Sequence, residues 1–251
     1  MKIDILKCPI CGMDFKLSGN SVVCGKSHTF NISKKNSINF VNTNRKTPYD
    51  EMFFHHRQIV LENSYFDGIL DIITSYLSEE QTIADLGCGE GYFSKAIKEI
   101  YPSSMVFGLD YSKYGINQAV KGIKTGVNWI VGNISNLPFM DESLDVILNI
   151  FSPANYKEFS RVLKGEGILI KVVPLSNHFV ELREGLLVEV FEPPINYEVV
   201  DKVEFKKTFY VDESMVESIH KMSPTRFGIE EILTIKEITV HCLVVVMKPV
   251  V

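Results

Sequence analysis

Cys8, Cys11, Cys24 and His28 follow the spacing C-x2-C-x12-C-x3-H. Three thiolates and one imidazole form a closed tetrahedral donor set that suits Zn²⁺, and four protein ligands leave no open position for chemistry at the metal. A metal held here is therefore expected to be structural. In CPICG, residues 8–12, Gly12 can free backbone N–H groups to face sulfur.

A second set of residues suits a different ligand. Asp85-Leu86-Gly87-Cys88-Gly89-Glu90-Gly91 closes a short apolar run, TIADL, and opens the helical pattern YFSKAIKEI. A glycine turn between strand and helix lies where α/β sheets bind nucleotide-like ligands. Glycine supplies positive φ and lets a ligand approach the backbone. The dinucleotide pattern G-x-G-x-x-G is broken, because Tyr92 stands at the third glycine's place, and no Gly-Lys-Ser/Thr follows for a phosphate loop. The Asp85 carboxylate would repel a pyrophosphate but would suit a cationic amino group. S-adenosylmethionine carries such a group beside its sulfonium. Asp110 ends the next strand and can accept both ribose hydroxyls. Asn133, after the third strand, is a candidate for the adenine edge. Cys88 is expected to be a small buried part of the cofactor loop, not a nucleophile, and Cys242 a core residue.

The elements that must position these residues alternate. Strands are expected at TIADL, MVFGLD, VNWIVGN, SLDVILNI and GEGILIKVVP, with helices between them, and two β-rich stretches follow at VEFKKTFYV and ITVHCLVVVMK. Continuous apolar strands alternating with helices indicate a mostly parallel, doubly wound sheet, here of seven strands. Ser112 is the expected N-cap of the helix after Asp110. Phe66, Ile69, Leu70, Ile73, Tyr76 and Leu77 recur at steps of three and four, which predicts a helical region over residues 54–77. A helix is also expected near DESMVESIHKM. Ahead of it all, SVVC and HTFNI read as short strands of a metal-stapled module, too small to fold on a core of its own. The expected organisation is a zinc-binding knuckle over 1–41, a linker over 42–53 and a sheet domain over 54–251. His55 and His56 lack partner cysteines and are read as surface or interface residues.

Charge is uneven. Residues 1–60 hold nine Lys and Arg against four Asp and Glu, and the remainder 17 against 27, within a net charge of −5. A basic front on an acidic body suggests that the front meets an anion. Five cysteines, three of them in the cluster, argue against a disulfide framework and for a reduced, cytoplasmic protein. The start MKIDILKCPI shows no secretory pattern, and no apolar run is long enough to span a bilayer, so no membrane partner is expected.

The series DLGCGEGYFS, GLDYSK and LPF resembles the class I S-adenosylmethionine-dependent methyltransferases over about residues 55 to 251. With the Cys3His knuckle, the whole chain resembles the large-subunit ribosomal RNA guanine-N1 methyltransferases. RKTPYDEMFFHHRQIVLENSYF, IFSPANYKEFSRVLKGEGILI, PLSNHFVELREGLL and MSPTRF carry the likeness. The resemblance implies a Rossmann-like sheet domain that binds S-adenosylmethionine through Asp85, Gly87, Gly89, Gly91 and Asp110, with Cys88 inside that turn and Asn133 after the third strand as further cofactor-site candidates. It also implies a structural Zn²⁺ on Cys8, Cys11, Cys24 and His28, and a module that helps hold a stem-loop of 23S rRNA. A homodimer would let two basic modules share one RNA.

Beside the cofactor's methyl group, the candidates for hydrogen bonding and stacking with the base are Asn149, Phe151, Ser152 and Pro153. NIFSP departs from the Asn-Pro-Pro-Tyr/Phe motif of exocyclic-amine methyltransferases, which favours a ring nitrogen. Tyr65, Tyr92 and Arg226 are weaker site candidates. Two other readings stay open on sequence alone: a small-molecule methyltransferase, which leaves the zinc module unexplained, and a non-enzymatic cofactor- or RNA-binding module, which leaves the intact glycine turn unexplained.

Overall fold

The computed structural model describes residues 1–41, 49–121, 125–182, 191–222 and 234–250. The chain begins with a small antiparallel sheet of β1 (Phe15–Ser18), β2 (Ser21–Cys24) and β3 (Thr29–Asn31), then β4 (Ser37–Asn39). There follow α1 (Glu51–Glu62), α2 (Asp67–Thr74), β5 (Thr82–Leu86), α3 (Tyr92–Ile100), β6 (Met105–Asp110) and α4 (Lys113–Ala119). The second half holds β7 (Asn128–Val131), β8 (Leu144–Ile150), α5 (Tyr156–Val162), β9 (Leu163–Pro174), β10 (Tyr197–Tyr210), α6 (Glu213–Met222) and β11 (Glu237–Pro249).

The main sheet runs β10-β11-β9-β8-β5-β6-β7-β4. Every neighbouring pair from β4 to β9 is parallel, and β11 enters antiparallel between β9 and β10. The sheet has eight strands where seven were expected. The eighth is β4, contributed by the N-terminal segment, whose Ser37, Ile38 and Asn39 pair with Trp129, Ile130 and Val131 of β7. Three residues give no periodicity to read, and their partner lies some ninety positions away.

Two apolar layers cover the sheet. On one face α1, α2, α3, α4 and α6 bury Val60, Ile69, Ile73, Ile97, Ile116 and Val216 against the strands. On the other, Leu6, Phe15, Val22 and Ile38 of the N-terminal segment pack with Phe107, Leu109, Ile130 and Phe139, while α5 adds Phe159 and Val162. The N-terminal segment thus takes the place of helices on half of one face. Polar ties reinforce the packing: Lys7 N donates to Pro138 O at 2.9 Å, Met140 N to Ile5 O at 2.8 Å, and Lys2 N to Asn128 Oδ1 at 2.9 Å.

The helical region from residue 54 is two helices, because Ser64 turns the chain at φ +64° between α1 and α2. α1 starts at Glu51, three residues ahead of the expected 54–251 unit, with Asp50 accepting from Phe53 N. Ser112 caps α4, its Oγ accepting from Gly115 N. Of the two adjacent histidines, His55 is exposed and His56 is buried between α1 and α6, with Nδ1 3.2 Å from Ser218 Oγ. No helix among the described residues is long and apolar enough to cross a membrane.

Candidate functional site

The carboxyl ends of β5, β6, β8 and β9 surround a cleft of about 720 Å³. The glycine turn forms one wall. Gly87, Gly89 and Gly91 all hold positive φ, at +93°, +57° and +80°, which side-chain-bearing residues rarely adopt. Each also sits against a neighbour. A Cβ on Gly87 would strike Ser152, and one on Gly91 would strike the Trp129 indole. Gly87 is what lets the loop after β8 close on the turn.

Asp110 ties this wall together. Its Oδ2 accepts from Gly89 N at 2.9 Å and its Oδ1 from Ser112 N at 2.7 Å, which links the glycine turn to the start of α4. Burial pushes the Asp110 carboxyl up, and the two backbone N–H groups pull it back. Arg57, reaching from α1, donates one Nη1 to both Glu90 oxygens at 2.5 and 2.6 Å. Burial works against the guanidinium's charge, but Glu90, helped by Asp85 and Asp110, holds Arg57 above its usual range.

Of the sequence-derived cofactor residues, Gly87, Gly89, Asp110 and Asn133 line the cleft. Asn133 Oδ1 accepts from Ser135 N at 2.9 Å, so its amide N–H groups are the part left to face a ligand. Asp85, Cys88 and Gly91 are buried behind the wall. Asp85 accepts from Ser94 Oγ at 2.6 Å, and burial pushes its carboxyl up to about 7. The Cys88 thiol is likewise pushed up by burial, well away from thiolate chemistry.

An adjoining wall is aromatic. Phe151, at φ +51°, stacks on His178 with ring centroids 5.5 Å apart and meets Phe66 edge-on at 5.8 Å. A positive φ on a phenylalanine is strained, and here the ring packs with Phe66 and His178, which line the same cleft. Ser152 and Pro153 follow on the same wall. Asn149 is not on it. Fully buried, its Nδ2 donates to Leu86 O and Pro153 O, both at 3.0 Å, and its Oδ1 accepts from Lys171 Nζ at 2.5 Å. Asn149 therefore pins the ends of β5 and of the 151–153 loop together.

Among the cleft residues that the sequence reading did not single out are Arg57, Lys171 and His178. Lys171 had a signal, since it breaks the apolar strand ILIKVV. His178 lay inside PLSNHFVE with nothing local to mark it, and Arg57 sat on a helix whose partner, Glu90, is 33 residues away. Tyr92 donates to Asp67 at 2.7 Å and Tyr65 packs edge-on to Phe209, and neither lines the cleft. Arg226 lies outside the described residues.

At the far side of the module, the donor atoms of Cys8, Cys11, Cys24 and His28 all fall within 4.8 Å of one another. Zn–S bonds of about 2.3 Å and Zn–N bonds of about 2.0–2.1 Å would set tetrahedral donors roughly 3.5–3.8 Å apart. Here His28 Nδ1 is 3.5 Å from Cys8 Sγ and 3.4 Å from Cys24 Sγ, and the Cys11 and Cys24 sulfurs are 3.5 Å apart. Backbone N–H groups of Ile10 and Cys11 face the Cys8 sulfur, and those of Lys26 and His28 face Cys24. The set fits a structural zinc.

Fold and cleft define a class I S-adenosylmethionine-dependent methyltransferase. Residues 83–167 match the family described as "Methyltransferase domain". A chain of the solved "Complex between the Haloferax volcanii Trm112 methyltransferase activator and the putative methyltransferase" covers 81% of this chain and 96% of its own, at TM-score 0.53 and 18% identity, a likeness of fold. Among curated proteins, "Putative 23S rRNA (guanine-N(1)-)-methyltransferase YxjB" of Bacillus subtilis is 38% identical over 72% of this chain and 68% of its own length. The 23S rRNA (guanine(748)-N(1))-methyltransferase of Streptomyces fradiae is 22% identical over 97% of this chain and 96% of its own. The chain belongs to the family of 23S rRNA (guanine-N1)-methyltransferases.

Proposed function

We propose that this protein methylates N1 of a guanine in a stem-loop of 23S rRNA, with S-adenosylmethionine as donor. The observation that carries the reading is the match over 97% of the chain to a relative named for that reaction. The donor supplies a methyl group already activated on a sulfonium, so the protein's task is alignment and removal of the N1 proton. Asp110 would hold the ribose hydroxyls and Asn133 the adenine edge, while Gly87 and Gly89 admit the cofactor close to the backbone. Asp85, Cys88 and Gly91 act from behind by shaping the turn. Phe151, Ser152 and Pro153 form the wall on which an unstacked base would lie, and Asn149 fixes that wall. A loop nucleotide reaches such a cleft at lower cost than one in a duplex.

The division of labour we infer gives residues 1–41 the RNA and residues 54–251 the methyl transfer. Lys2, Lys16, Lys26, Lys34 and Lys35 are exposed on the N-terminal segment and supply phosphate-binding charge. Two copies would present two such surfaces to one RNA, and no disulfide joins any of the five cysteines, which fits a cytoplasmic site of action. The test is direct: purified protein, unmodified 23S rRNA and methyl-labelled donor are combined and the RNA is digested to nucleosides. The reading expects label in 1-methylguanosine, and label in any other nucleoside contradicts it.

A further inference from the structure

Lys171 is a buried lysine, 7% exposed, on the floor of the cleft. It sits on β9 between Ile170 and Val172, both fully buried, and its Cα is the register partner of Asn149 on β8. No carboxylate pairs with it among the described residues. A buried ammonium without a counter-ion is costly and needs a reason.

The nitrogen's partners supply one. Nζ donates to Asn149 Oδ1 at 2.5 Å and to Ser152 O at 3.1 Å. Two N–H bonds of a tetrahedral amine are thereby committed to protein acceptors on the side of the 151–153 loop. The remaining position has no protein partner among the described residues. In the neutral amine that position is the lone pair, and in the ammonium it is the third N–H.

We propose that Lys171 is the general base that removes the guanine N1 proton. The inference rests on the reading of guanine N1 as methyl acceptor. The N1–H bond breaks and its proton passes to Lys171 Nζ. The N1 electron pair forms the bond to the methyl carbon, and the carbon–sulfur bond breaks with its pair left on sulfur. The products are 1-methylguanine, the neutral thioether and a Lys171 ammonium, which returns its proton to solvent.

Burial alone lowers the lysine to about 8, so roughly a tenth of it is the neutral amine at pH 7 and the fraction grows as pH rises. The other charged or titratable groups around the cleft are Tyr49, Arg57, Asp110, Tyr111 and His178. Arg57 is engaged by Glu90 and Asp110 by two backbone N–H groups. His178 Nδ1 accepts from His241 N at 3.2 Å, so in its neutral form the proton is on Nε2 and the ring has no free lone pair to offer as a base.

The test is single-turnover methyl transfer to 23S rRNA from about pH 6 to about pH 9.5, in wild type, Lys171→Gln and Lys171→Arg, with donor affinity measured in parallel. Wild type should accelerate with pH and level off near the lysine's value. Both variants should bind donor within about threefold of wild type yet react at least about 100-fold more slowly near neutral pH, climbing with pH without a plateau. Arginine keeps the charge and the donors but cannot accept a proton, so a slow Lys171→Arg with intact binding separates base from scaffold. In Lys171→Ala, added small primary amines should restore turnover. A variant within about threefold of the wild-type rate, or an unchanged pH profile, overturns the proposal. So does loss of donor binding in both variants without amine rescue, which would place Lys171 in the scaffold. Wild-type reactions that yield no 1-methylguanosine overturn the guanine reading itself, and the proposal with it.

Discussion

Arg57 and Glu90 are joined through one guanidinium nitrogen that reaches both carboxylate oxygens, at 2.5 and 2.6 Å. The pair fastens α1 to the glycine turn, and Glu90 is only 1% exposed. Removing one partner of such a pair leaves an uncompensated buried charge. Arg57→Ala should therefore cost about 3 kcal/mol of stability and weaken donor binding. Adding Glu90→Gln should recover most of the stability loss. Denaturant titration of the two variants checks this, and a double variant no more stable than the single one would contradict it.

Asp110 sits where cofactor binding and loop geometry meet. Asp110→Ala removes a carboxylate able to accept ribose hydroxyls and also frees the N–H groups of Gly89 and Ser112. Charge-assisted hydrogen bonds of this kind are each worth about 1.5–3 kcal/mol. Donor affinity should fall about 100-fold by calorimetry. Affinity equal to wild type would remove Asp110 from the cofactor site.

Asp85 makes stability depend on pH. Its carboxyl titrates near 7 when folded because burial disfavours its charge, against an ordinary value of 3.8. Between those two values the folded state holds more protons than the unfolded state, so stability falls as pH rises through the window. Asp85→Asn still offers Ser94 an acceptor and has no charge to bury. Relative to wild type it should gain about 1–3 kcal/mol above neutral pH and nothing below about pH 4. Parallel denaturation curves for the two proteins across that range would contradict the assignment.

Zinc should hold up more than its own module. Cys8 and Cys24 share an apolar layer with Phe15, Val22, Phe107, Leu109 and Ile130, so the metal braces one face of the main sheet. Cys24→Ser, or chelation, should remove one equivalent of zinc and lower the melting temperature by on the order of 10 °C. Retained zinc, or an unchanged melting temperature after its loss, would contradict this role.

The sequence made some of this plain and hid the rest for physical reasons. The turn from Asp85 to Gly91 was visible because glycines are needed where φ is positive, and the Cys3His cluster because metal geometry restricts ligand spacing. The five parallel strands from β5 to β9 were visible through apolar runs, and β10 and β11 as β-rich stretches near the end. β4 was hidden because its three residues become a strand only by pairing with β7. Ser64 gave no sign that the helical stretch breaks, since it can equally sit in a helix. Asn149 looked like a base-binding residue beside the cofactor, and only the packing shows both ends of its amide already engaged by Leu86, Pro153 and Lys171. Contacts between residues far apart in the chain leave no local pattern.

The measurement that tests the central claim most directly is reverse transcription along 23S rRNA from cells with and without this gene. A methyl group on guanine N1 blocks the Watson–Crick edge, so the transcriptase should stop one nucleotide before the modified base. The account predicts a gene-dependent stop at a guanine in a hairpin loop, restored by wild-type protein and absent with Asp110→Ala. Identical stop patterns in the two strains would contradict it.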